Sequence, residues 1–455
     1  MKSANYDSVY FLGVGGIGMS ALARWFMRDG KKTAGFDRTA TELTRELIKE
    51  GIEIHFEDNV SLIPSFVAPD RTLIVWTPAI KEGNELAYFQ SRGFRMAKRS
   101  EVLGLISKQY KTIAVAGTHG KTTTSAMIAH ILKCANKNMV AFLGGIAVNY
   151  QSNLVMHGTP SQDTLAVAEA DEFDRSFLRL EPAIAVVTSA DADHLDIYGT
   201  HENMLASFQD FMALIKPNGN LIIHEKIKGL ASSCRANAET YGEGGQFYAE
   251  NISAQGGVFK FDFVGQSKIQ DIELGIPGFH NMENAIAAIR AALLLNISAE
   301  VIRPALAGFR GVKRRFEFIV RREEAVYIDD YAHHPAEIEA FIKSVRHFYP
   351  SKKLTVIFQP HLFTRTRDFA AGFSESLSLA DEVLLLDIYP AREKPIPGVT
   401  SDILFDAIAS PEKERCSKED VLQKLRRRTL EVVATVGAGD IDTLVEPIKN
   451  MLLKK

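Results

Sequence analysis

The chain has 455 residues, of which 46% are hydrophobic and 24% charged, and its net charge is −3. This composition is typical of a globular protein, and a prior of about 150 residues per domain favours three domains. The slightly negative charge gives no indication of a nucleic-acid partner. We find no signal sequence and no apolar run long enough for a membrane segment. The three cysteines are widely separated, which predicts neither disulfides nor a zinc site. We therefore expect a soluble, cytoplasmic protein.

A glycine-rich turn follows the first predicted strand, residues 9–12. Residues 13–18 read GVGGIG, which fits the pattern G-x-G-x-x-G, and a helical pattern begins at about Met19. Asp37 follows the second predicted strand, where dinucleotide-binding folds place an acid that binds the ribose. By itself this pattern predicts a nicotinamide-dependent oxidoreductase, but the turn suits any pyrophosphate, including that of a UDP-sugar.

A second glycine-rich turn, AGTHGKTT at residues 116–123, lies between a predicted strand (112–115) and a helical pattern (125–132). It has the short form G-x-x-G-K-T, since a strict Walker A motif would need glycine in place of Val115. Its backbone N–H groups and the following helix dipole favour an anion. Lys121 would reach the β- and γ-phosphates, and the Thr122 hydroxyl would bind Mg²⁺. The sequence therefore predicts ATP or GTP binding, which makes NAD the weaker reading of the first turn.

Strand and helix patterns alternate along the rest of the chain, which predicts an α/β protein with parallel sheets covered by helices. A two-residue period over 248–264 suggests an antiparallel patch at a sheet edge. The pattern restarts near residues 107 and 320, which gives three segments. The further predicted strands are 33–36, 73–76, 140–143, 165–168, 184–187, 221–223, 325–329, 354–358 and 383–386, and the further predicted helices are 43–50, 204–214, 284–295 and 336–345.

Polar side chains follow several predicted strands. Glu169 follows the strand 165–168 and suits Mg²⁺ binding, and His194 lies shortly beyond the strand 184–187. Imidazole is a soft ligand for Mg²⁺, so a structural role for His194 stays open. Asn281 and Asn284 share a helix face and could contact an adenine, although Asn281 could equally cap the helix.

Residues 312–316 place three cations at the second junction, which suits phosphate binding or a solvated linker. Further polar strings follow two strands of the third segment, at residues 329–335 and 359–367. They would line a pocket, whereas the double histidine at 333–334 could instead cap and pack a helix.

In combination, these strings resemble the Mur ligase family, the ATP-dependent enzymes that form amide bonds in bacterial cell-wall precursors. The resemblance covers essentially the whole chain, and seven strings in one order make it specific. The strings are GVGGIGMS (13–20), AGTHGKTTT (116–124), EADE (169–172), DADH (191–194), VKRRF (312–316), DDYAHHP (329–335) and TRTRD (364–368).

The resemblance implies three domains: a Rossmann-like domain that binds UDP-sugar (1–106), a P-loop domain with a mostly parallel sheet that binds ATP (107–319), and a Rossmann-like domain that binds the amino acid (320–455). It implies ATP and Mg²⁺ as cofactors and UDP-N-acetylmuramate and L-alanine as substrates, joined through an acyl phosphate. Several sister ligases carry a carbamylated lysine where Phe208 stands, and its absence fits the branch that adds alanine.

The resemblance also implies a role for individual residues. The expected UDP-sugar contacts are Gly15, Gly16, Ile17, Gly18, Asp37, Thr77 and Ala79. The expected ATP contacts are Gly117, Thr118, His119, Gly120, Lys121, Thr122, Thr123, Asn281, Asn284, Arg315 and Asp330. The expected amino-acid contacts are Tyr331, His333, His361 and Arg365, and the expected metal ligands are Thr122, Glu169 and His194. The expected catalytic residues are Lys121, Glu169, His194, Arg315 and His333.

One string departs from the family pattern. The family sequence Gln-Pro-His-Arg-Tyr reads QPHLF at residues 359–363, so Leu362 replaces an arginine. Arg365 is then the remaining candidate for the carboxylate of alanine. A murein tripeptide ligase would share the UDP-sugar and ATP machinery, and a non-enzymatic nucleotide switch would need only the P-loop.

Overall fold

Parallel strands dominate the computed structural model, which describes residues 6–193, 195–255, 258–391 and 393–454. The chain divides into two compact units. Unit 1 comprises Met1–Ala249, Phe263–Ile269 and Glu283–Leu306, and unit 2 comprises Glu250–Asp262, Gln270–Met282 and Ala307–Lys455. Over the described residues, no helix has both the length and the apolar character that a membrane span needs. The cytoplasmic location stays a prediction.

The first sheet has five parallel strands in the order β3-β2-β1-β4-β5. The strand order reverses beside β1, whose five residues are all buried, and open α/β sheets bind ligands at such a reversal. The strands are β1 (Ser8–Leu12), β2 (Lys32–Phe36), β3 (Glu53–His55), β4 (Thr72–Trp76) and β5 (Arg95–Lys98), and the helices are α1 (Ile17–Arg28), α2 (Glu42–Lys49), α3 (Asn84–Ser91) and α4 (Arg99–Ser107).

The second sheet has seven strands in the order β12-β11-β10-β6-β9-β7-β8. Its pairs are parallel except for β7 and β8, which form an antiparallel hairpin at one edge. The strands are β6 (Lys111–Ala116), β7 (Met139–Ala147), β8 (Ser152–His157), β9 (Leu165–Glu169), β10 (Ile184–Val187), β11 (Asn220–His224) and β12 (Asn237–Tyr241), and the helices are α5 (Lys121–Cys134), α6 (Leu195–Tyr198) and α7 (His201–Ala213).

Residues 248–274 form a sheet of their own, which corrects the prediction of a patch at the edge of a larger sheet. Its strands are β13 (Tyr248–Gln255), β14 (Val258–Val264) and β15 (Ile269–Leu274), in that order. The two-residue period places Phe259, Phe261 and Phe263 on one face, and all three are fully buried. Phe259 packs edge-on to Phe279 and Phe263 stacks on Phe247, so this aromatic face is covered by residues outside the small sheet. Two helices follow, α8 (Phe279–Leu293) and α9 (Ala299–Gly308).

The last sheet has six strands in the order β16-β17-β21-β18-β19-β20. Only the edge pair β16 and β17 is antiparallel among these described pairs. The strands are β16 (Glu317–Arg321), β17 (Val326–Asp330), β18 (Leu354–Phe358), β19 (Glu382–Leu385), β20 (Glu412–Arg415) and β21 (Val432–Val436), and the helices are α10 (Pro335–Phe348), α11 (Phe363–Asp368), α12 (Ala370–Leu377), α13 (Asp402–Phe405), α14 (Val421–Arg426) and α15 (Val445–Leu453).

The prediction of an α/β fold with mostly parallel sheets is confirmed, and every predicted strand outside 248–264 coincides with a strand. Four helix starts are wrong: α7 begins at His201 rather than 204, α8 begins at Phe279 rather than 284, and two further helices begin early beside the glycine-rich turns of the sequence motifs. Helix α1 begins at Ile17 rather than about Met19, and α5 begins at Lys121, four residues before the predicted pattern. In both cases the first helical turn adjoins a glycine-rich turn and carries few apolar side chains, so the apolar period starts late.

Candidate functional site

Three neighbouring strand ends of the second sheet converge on the P-loop. Strand β6 lies between β10 and β9, with Ala116 paired to Val187 and Val115 paired to Glu169. Because these strands are parallel, the segments that follow them leave the same edge of the sheet. The P-loop, residues 169–172 and residues 188–191 therefore lie side by side.

Two glycines allow the P-loop its shape. Gly117 and Gly120 have φ angles of 135° and 80°, which side chains rarely adopt. A Cβ on Gly117 would collide with Thr188 Oγ1, and one on Gly120 would lie 2.6 Å from Asn284 Oδ1. Asn284, on α8, therefore packs against the P-loop, close to where a bound nucleotide is expected.

Two residues that directly follow β10 form hydrogen bonds with the P-loop, and the sequence analysis did not single them out. Thr188 Oγ1 donates a hydrogen bond to the carbonyl oxygen of Ala116 at 3.1 Å. Ser189 Oγ accepts the His119 N–H at 2.8 Å and lies 2.9 Å from Thr118 Oγ1. The only sign of this role in the sequence is that a Thr-Ser pair directly follows the strand 184–187, which lies beside the P-loop strand in the sheet.

Lys121 is held under the P-loop by a buried carboxylate. Its Nζ donates to the carbonyl oxygen of Gly117 at 2.5 Å and lies 2.8 and 2.9 Å from the two carboxylate oxygens of Glu172. Burial alone would lower the pKa of Lys121, but Glu172, Glu169 and Asp171 together raise it above its ordinary value. The lysine is therefore a permanent cation at the position where phosphates are expected, and Glu172 is a third residue to which the sequence analysis assigned no role.

Thr122 and Glu169 form an oxygen-rich pair beside this lysine. Thr122 Oγ1 donates to Glu169 Oε1 at 3.1 Å, and Gly144 N donates to Glu169 Oε2 at 2.9 Å. A hydroxyl and a carboxylate are ligands that Mg²⁺ prefers, so the residues present fit the metal. His194 lies outside the described residues, and within those residues no group of three or more His, Cys, Asp or Glu could hold a metal.

The other predicted P-loop residues contact neighbours in the same unit. Thr118 Oγ1 accepts the Asp191 N–H at 3.1 Å, and His119 Nε2 lies 3.5 Å from Asp191 Oδ2. Thr123 is buried within the first turn of α5.

Asn281 does not cap α8, so that interpretation is wrong. The helix begins at Phe279, which puts Asn281 in its first turn. Its Nδ2 donates to the carbonyl oxygen of Pro277 at 2.6 Å, and the side chain is buried.

A carboxylate of the same unit lies against the first glycine-rich turn, which directly follows β1. Asp37 Oδ2 accepts the Gly15 N–H at 2.8 Å, and Oδ1 accepts the Thr39 N–H at 3.0 Å. Gly16 caps α1, and both Gly16 and Ile17 are exposed. The Asp37 carboxylate thus takes the place next to the turn where an anionic ligand would bind.

The remaining residues of this turn meet two neighbouring segments. A Cβ on Gly18 would lie 2.7 Å from Arg99 Nη1, and one on Gly13 would lie 3.4 Å from Thr77 Cγ2. Thr77 starts a tight turn in which Ile80 N donates to its carbonyl oxygen at 3.0 Å and Ala79 N to its Oγ1 at 3.5 Å.

In unit 2, Asp330 is the last residue of β17, and its carboxylate binds one backbone N–H group that precedes the strand in the chain and one that follows it. Its carboxylate accepts the Phe316 N–H at 2.6 Å and the Ala332 N–H at 2.7 Å. Burial raises the pKa of Asp330 to about 7, although Arg315 and the two hydrogen bonds lower it. Asp330 therefore joins the 312–316 string to the 329–335 string.

The three cations of the second junction are not equivalent. Arg314 Nη2 donates to the carbonyl oxygen of Gly437 at 2.6 Å, and its Nε lies 3.4 Å from Asp329, so Arg314 is a structural residue. The Arg315 guanidinium lies 5.1 Å from the centre of the Tyr331 ring and 3.8 Å from Glu337. Arg315 thus stands beside the predicted amino-acid contacts.

Four aromatic side chains, from the segments that follow β17, β18 and β19, adjoin one another in a row. His333 lies 5.3 Å from Tyr331 and 6.2 Å from His361 between ring centres, and His361 stacks on Tyr389 at 5.9 Å. His333 Nδ1 lies 3.0 Å from the carbonyl oxygen of Tyr331. A carbonyl oxygen only accepts, so Nδ1 carries a proton, and Nε2 is the nitrogen that can accept a proton when the ring is neutral.

His334 and Arg365 complete the predicted pocket strings. His334 caps α10, with its Nδ1 accepting the Ala336 N–H at 3.4 Å, which confirms the capping role for the second of the two histidines. Arg365 is buried on α11, two residues after the half-buried start of that helix. Tyr389 was missed by sequence reasoning, because nothing in the string 386–391 shows that it reaches His361.

Family models match three consecutive segments of the chain. They are described as the Mur ligase family catalytic domain over residues 8–111, the Mur ligase middle domain over 115–292, and the Mur ligase glutamate ligase domain over 314–441. The chain belongs to the Mur ligase family.

Full-length relatives of this Mur ligase agree with the assignment. It is 52% identical to a UDP-N-acetylmuramate–L-alanine ligase from Parabacteroides distasonis, over 98% of both chains. A ligase of the same name from Flavobacterium johnsoniae is 48% identical over 99% of both chains.

Solved structures share the fold. The UDP-N-acetylmuramate–alanine ligase of Thermotoga maritima is 27% identical with a TM-score of 0.83, covering 98% of this chain and 100% of that one. A murein peptide ligase from Psychrobacter arcticus, 24% identical with a TM-score of 0.70 over 98% of both chains, shares the architecture.

Proposed function

We propose that this Mur ligase joins L-alanine to the lactyl carboxylate of UDP-N-acetylmuramate and converts ATP to ADP and phosphate. The observation that carries this conclusion is 52% identity, over 98% of both chains, to a ligase of that name. The segments 1–106, 107–319 and 320–455 would bind the UDP-sugar, ATP and the amino acid, and the family-model boundaries near 111 and 314 support this division.

Activation of the carboxylate is the first step. A lactyl oxygen attacks the γ-phosphorus of ATP, which forms an acyl phosphate and releases ADP. Lys121, kept cationic by the carboxylates around it, would neutralise charge on the transferred phosphoryl group, and Arg315 would supply a second cation. Mg²⁺, held by Thr122, Glu169 and His194, would supply further positive charge to the phosphates.

Amide formation is the second step. The amine of L-alanine attacks the acyl carbon, and the tetrahedral intermediate expels phosphate. His333 would accept the amine proton at Nε2, because the Tyr331 carbonyl fixes the other proton at Nδ1. Tyr331, His361 and Arg365 would surround the amino acid, with Arg365 contacting its carboxylate.

The remaining predicted residues would bind the two nucleotides. Asn281 and Asn284 would contact the adenine and Asp330 the ribose, and contact of Asn284 with the P-loop supports its role. The glycine-rich turn of β1, with Asp37, Thr77 and Ala79, would hold the UDP moiety. The anion-like position of the Asp37 carboxylate against Gly15 supports this role.

Phosphate release tests the proposal directly. With ATP, Mg²⁺ and UDP-N-acetylmuramate present, we expect release that depends on L-alanine and is weaker with glycine or L-serine. A preformed murein tripeptide in place of L-alanine separates this function from that of a tripeptide ligase. Faster release with the tripeptide, or NADH oxidation without alanine-dependent ADP formation, would contradict the proposal.

A further inference from the structure

Helix α11 begins without a capping side chain of its own. Its N-cap residue is Leu362, an aliphatic residue whose φ of 70° is left-handed, and no side-chain hydrogen bond is made from it. The first N–H groups of a helix have no partner within the helix, so a helix of six residues with such a start needs an acceptor from elsewhere.

Glu393 provides that acceptor from a loop 29 residues further along the chain. Its Oε2 accepts the Thr364 N–H at 3.1 Å, and its Oε1 accepts the Thr364 hydroxyl at 2.5 Å. A carboxylate at this end of a helix is also favoured by the helix dipole. Glu393 therefore does for α11 what a Ser, Asp or Asn at position 362 would do for an ordinary helix.

The loop that carries Glu393 is itself attached to the start of α11. Tyr389 N donates to the carbonyl oxygen of Pro360 at 2.8 Å, and Leu362 N donates to that of Tyr389 at 3.0 Å. Glu393 N closes a turn onto the carbonyl oxygen of Pro390 at 2.8 Å. The segment that leads to Glu393 is thus attached to the residues just before α11, and a turn holds Glu393 close to that segment.

We propose that Glu393 is a positioning residue for the amino-acid pocket, because it sets the direction of α11 and hence of Arg365. This inference rests on the proposed function, in which Arg365 contacts the carboxylate of L-alanine. Arg365 directly follows Thr364, the residue that Glu393 holds, and it is buried. A small rotation of so short a helix would move its guanidinium away from a ligand.

The test compares E393A with E393Q in the full chain. Loss of a helix cap typically costs a factor of several in an equilibrium, so E393A should raise the KM for L-alanine roughly tenfold. The kcat and the KM values for ATP and UDP-N-acetylmuramate should change by less than about twofold, because α11 carries none of their proposed contacts. E393Q keeps two polar atoms for Thr364 and should restore the KM for L-alanine.

Ser417→Ala is the matched control, since Ser417 Oγ accepts the Asp420 N–H at 3.3 Å before α14 and lies outside the proposed site. It should leave every KM unchanged. An E393A enzyme with an unchanged KM for L-alanine, an equal rise in all three KM values, or an E393Q enzyme as impaired as E393A would each overturn the inference. Absence of alanine-dependent phosphate release in the unmodified chain would instead contradict the proposed function.

Discussion

At the scale of single residues, the P-loop lysine is the side chain on which the proposed chemistry depends most. The Lys121 side chain is 13% exposed, and its ammonium group contacts backbone carbonyl oxygens and Glu172. This arrangement keeps the cation in place before a nucleotide arrives. Removing it should therefore affect phosphoryl transfer rather than the binding of other substrates.

Lys121→Ala should lower the rate of phosphate release by roughly 10³-fold or more, since a lost catalytic cation removes several kcal/mol of transition-state stabilisation. The affinity for UDP-N-acetylmuramate should stay the same, because its proposed turn belongs to a different sheet. Steady-state kinetics and calorimetry measure the two quantities. An equal loss of UDP-sugar affinity would contradict the separation of the two sites.

Arg365 is the residue whose proposed role depends on a departure from the family pattern. With Leu362 in place of the family arginine, Arg365→Ala should raise the KM for L-alanine by roughly 10- to 100-fold, since charge-assisted hydrogen bonds contribute about 1.5–3 kcal/mol. The KM for ATP should change little. Adding Leu362→Arg should partly restore the KM of the Arg365 variant.

Arg367→Ala is the matched control for Arg365, because Arg367 lies on the same helix but is exposed and paired with Asp368 at 2.7 Å. Its KM for L-alanine should equal that of the unmodified chain. If Arg365→Ala behaves like this control, the carboxylate contact belongs to another side chain, with Tyr331 and His361 the next candidates.

At the scale of elements, a buried polar cluster connects β1, β3 and α3 of the first sheet. Tyr10 OH donates to Glu85 Oε2 at 2.6 Å and lies 2.8 Å from His55 Nε2, and Asp58 accepts the Glu85 N–H at 2.9 Å. Burial raises the pKa of Glu85 from 4.5 to about 7, and burial lowers the pKa of His55. The core of this sheet is therefore sensitive to pH.

Glu85→Gln should change the pH dependence of stability with a defined sign. Between pH 4.5 and 7 the folded chain holds a proton on Glu85 that the unfolded chain has lost, so this group's stabilisation is full below 4.5 and is lost as pH rises through 7. Glutamine keeps the hydrogen-bond acceptor for Tyr10 without the charge. Relative to the unmodified chain, the variant should gain roughly 2 kcal/mol between pH 5 and 8, at about 1.4 kcal/mol per pKa unit.

Thermal unfolding at pH 5, 6, 7 and 8 measures this gain as a difference in Tm between the two chains. The difference reports the Glu85–His55 pair, because His55 Nε2 lies 3.3 Å from Glu85 Oε1 and the two groups titrate together. Groups away from this pair titrate alike in both chains. A Tm difference that stays constant with pH would show that Glu85 is ionised throughout, and would contradict the raised pKa.

At the scale of the whole molecule, the first family-model segment and most of the second belong to one compact unit, while residues 250–262 and 270–282 of the second belong to the other. Asn153 on β8 of the second sheet is fully buried against α1 of the first. Its Oδ1 accepts Arg24 Nη1 at 2.5 Å, and its Nδ2 donates to the carbonyl oxygen of Ile17 at 2.5 Å and to Ser20 Oγ at 2.8 Å. One amide thus joins the helix after the first glycine-rich turn to the sheet that carries the P-loop.

Asn153→Ala should destabilise unit 1 by about 2–3 kcal/mol, because it leaves buried donors and acceptors without these partners. Ser152→Ala on the same hairpin removes only a local contact to Leu154 N and should change stability by less than about 0.5 kcal/mol. Thermal unfolding checks both variants. Equal Tm values for the two would show that the Asn153 contacts contribute little to holding the two sheets together.

Local patterns in the sequence were sufficient for the strands and for the glycine-rich turns. Buried parallel strands are short apolar runs, and a turn that approaches an anion needs glycine at Gly117 and Gly120, so both leave a mark in consecutive residues. The polar side chains that follow several strands were also predicted from consecutive residues. The sequence also contains the family strings, and the resemblance to the family implied the substrates and most of the proposed contacts.

Only the tertiary structure decided which side chains meet across long sequence distances. In the structure Lys121 is paired with Glu172, Ser189 forms hydrogen bonds with the P-loop, and Glu393 caps a helix that has no capping side chain of its own. It also separated Arg314, which is bound to Asp329 and Gly437, from the neighbouring Arg315. These partners are chosen by strand order and loop path, which depend on the packing of the whole sheet, whereas a strand or a turn depends mainly on residues adjacent in the chain.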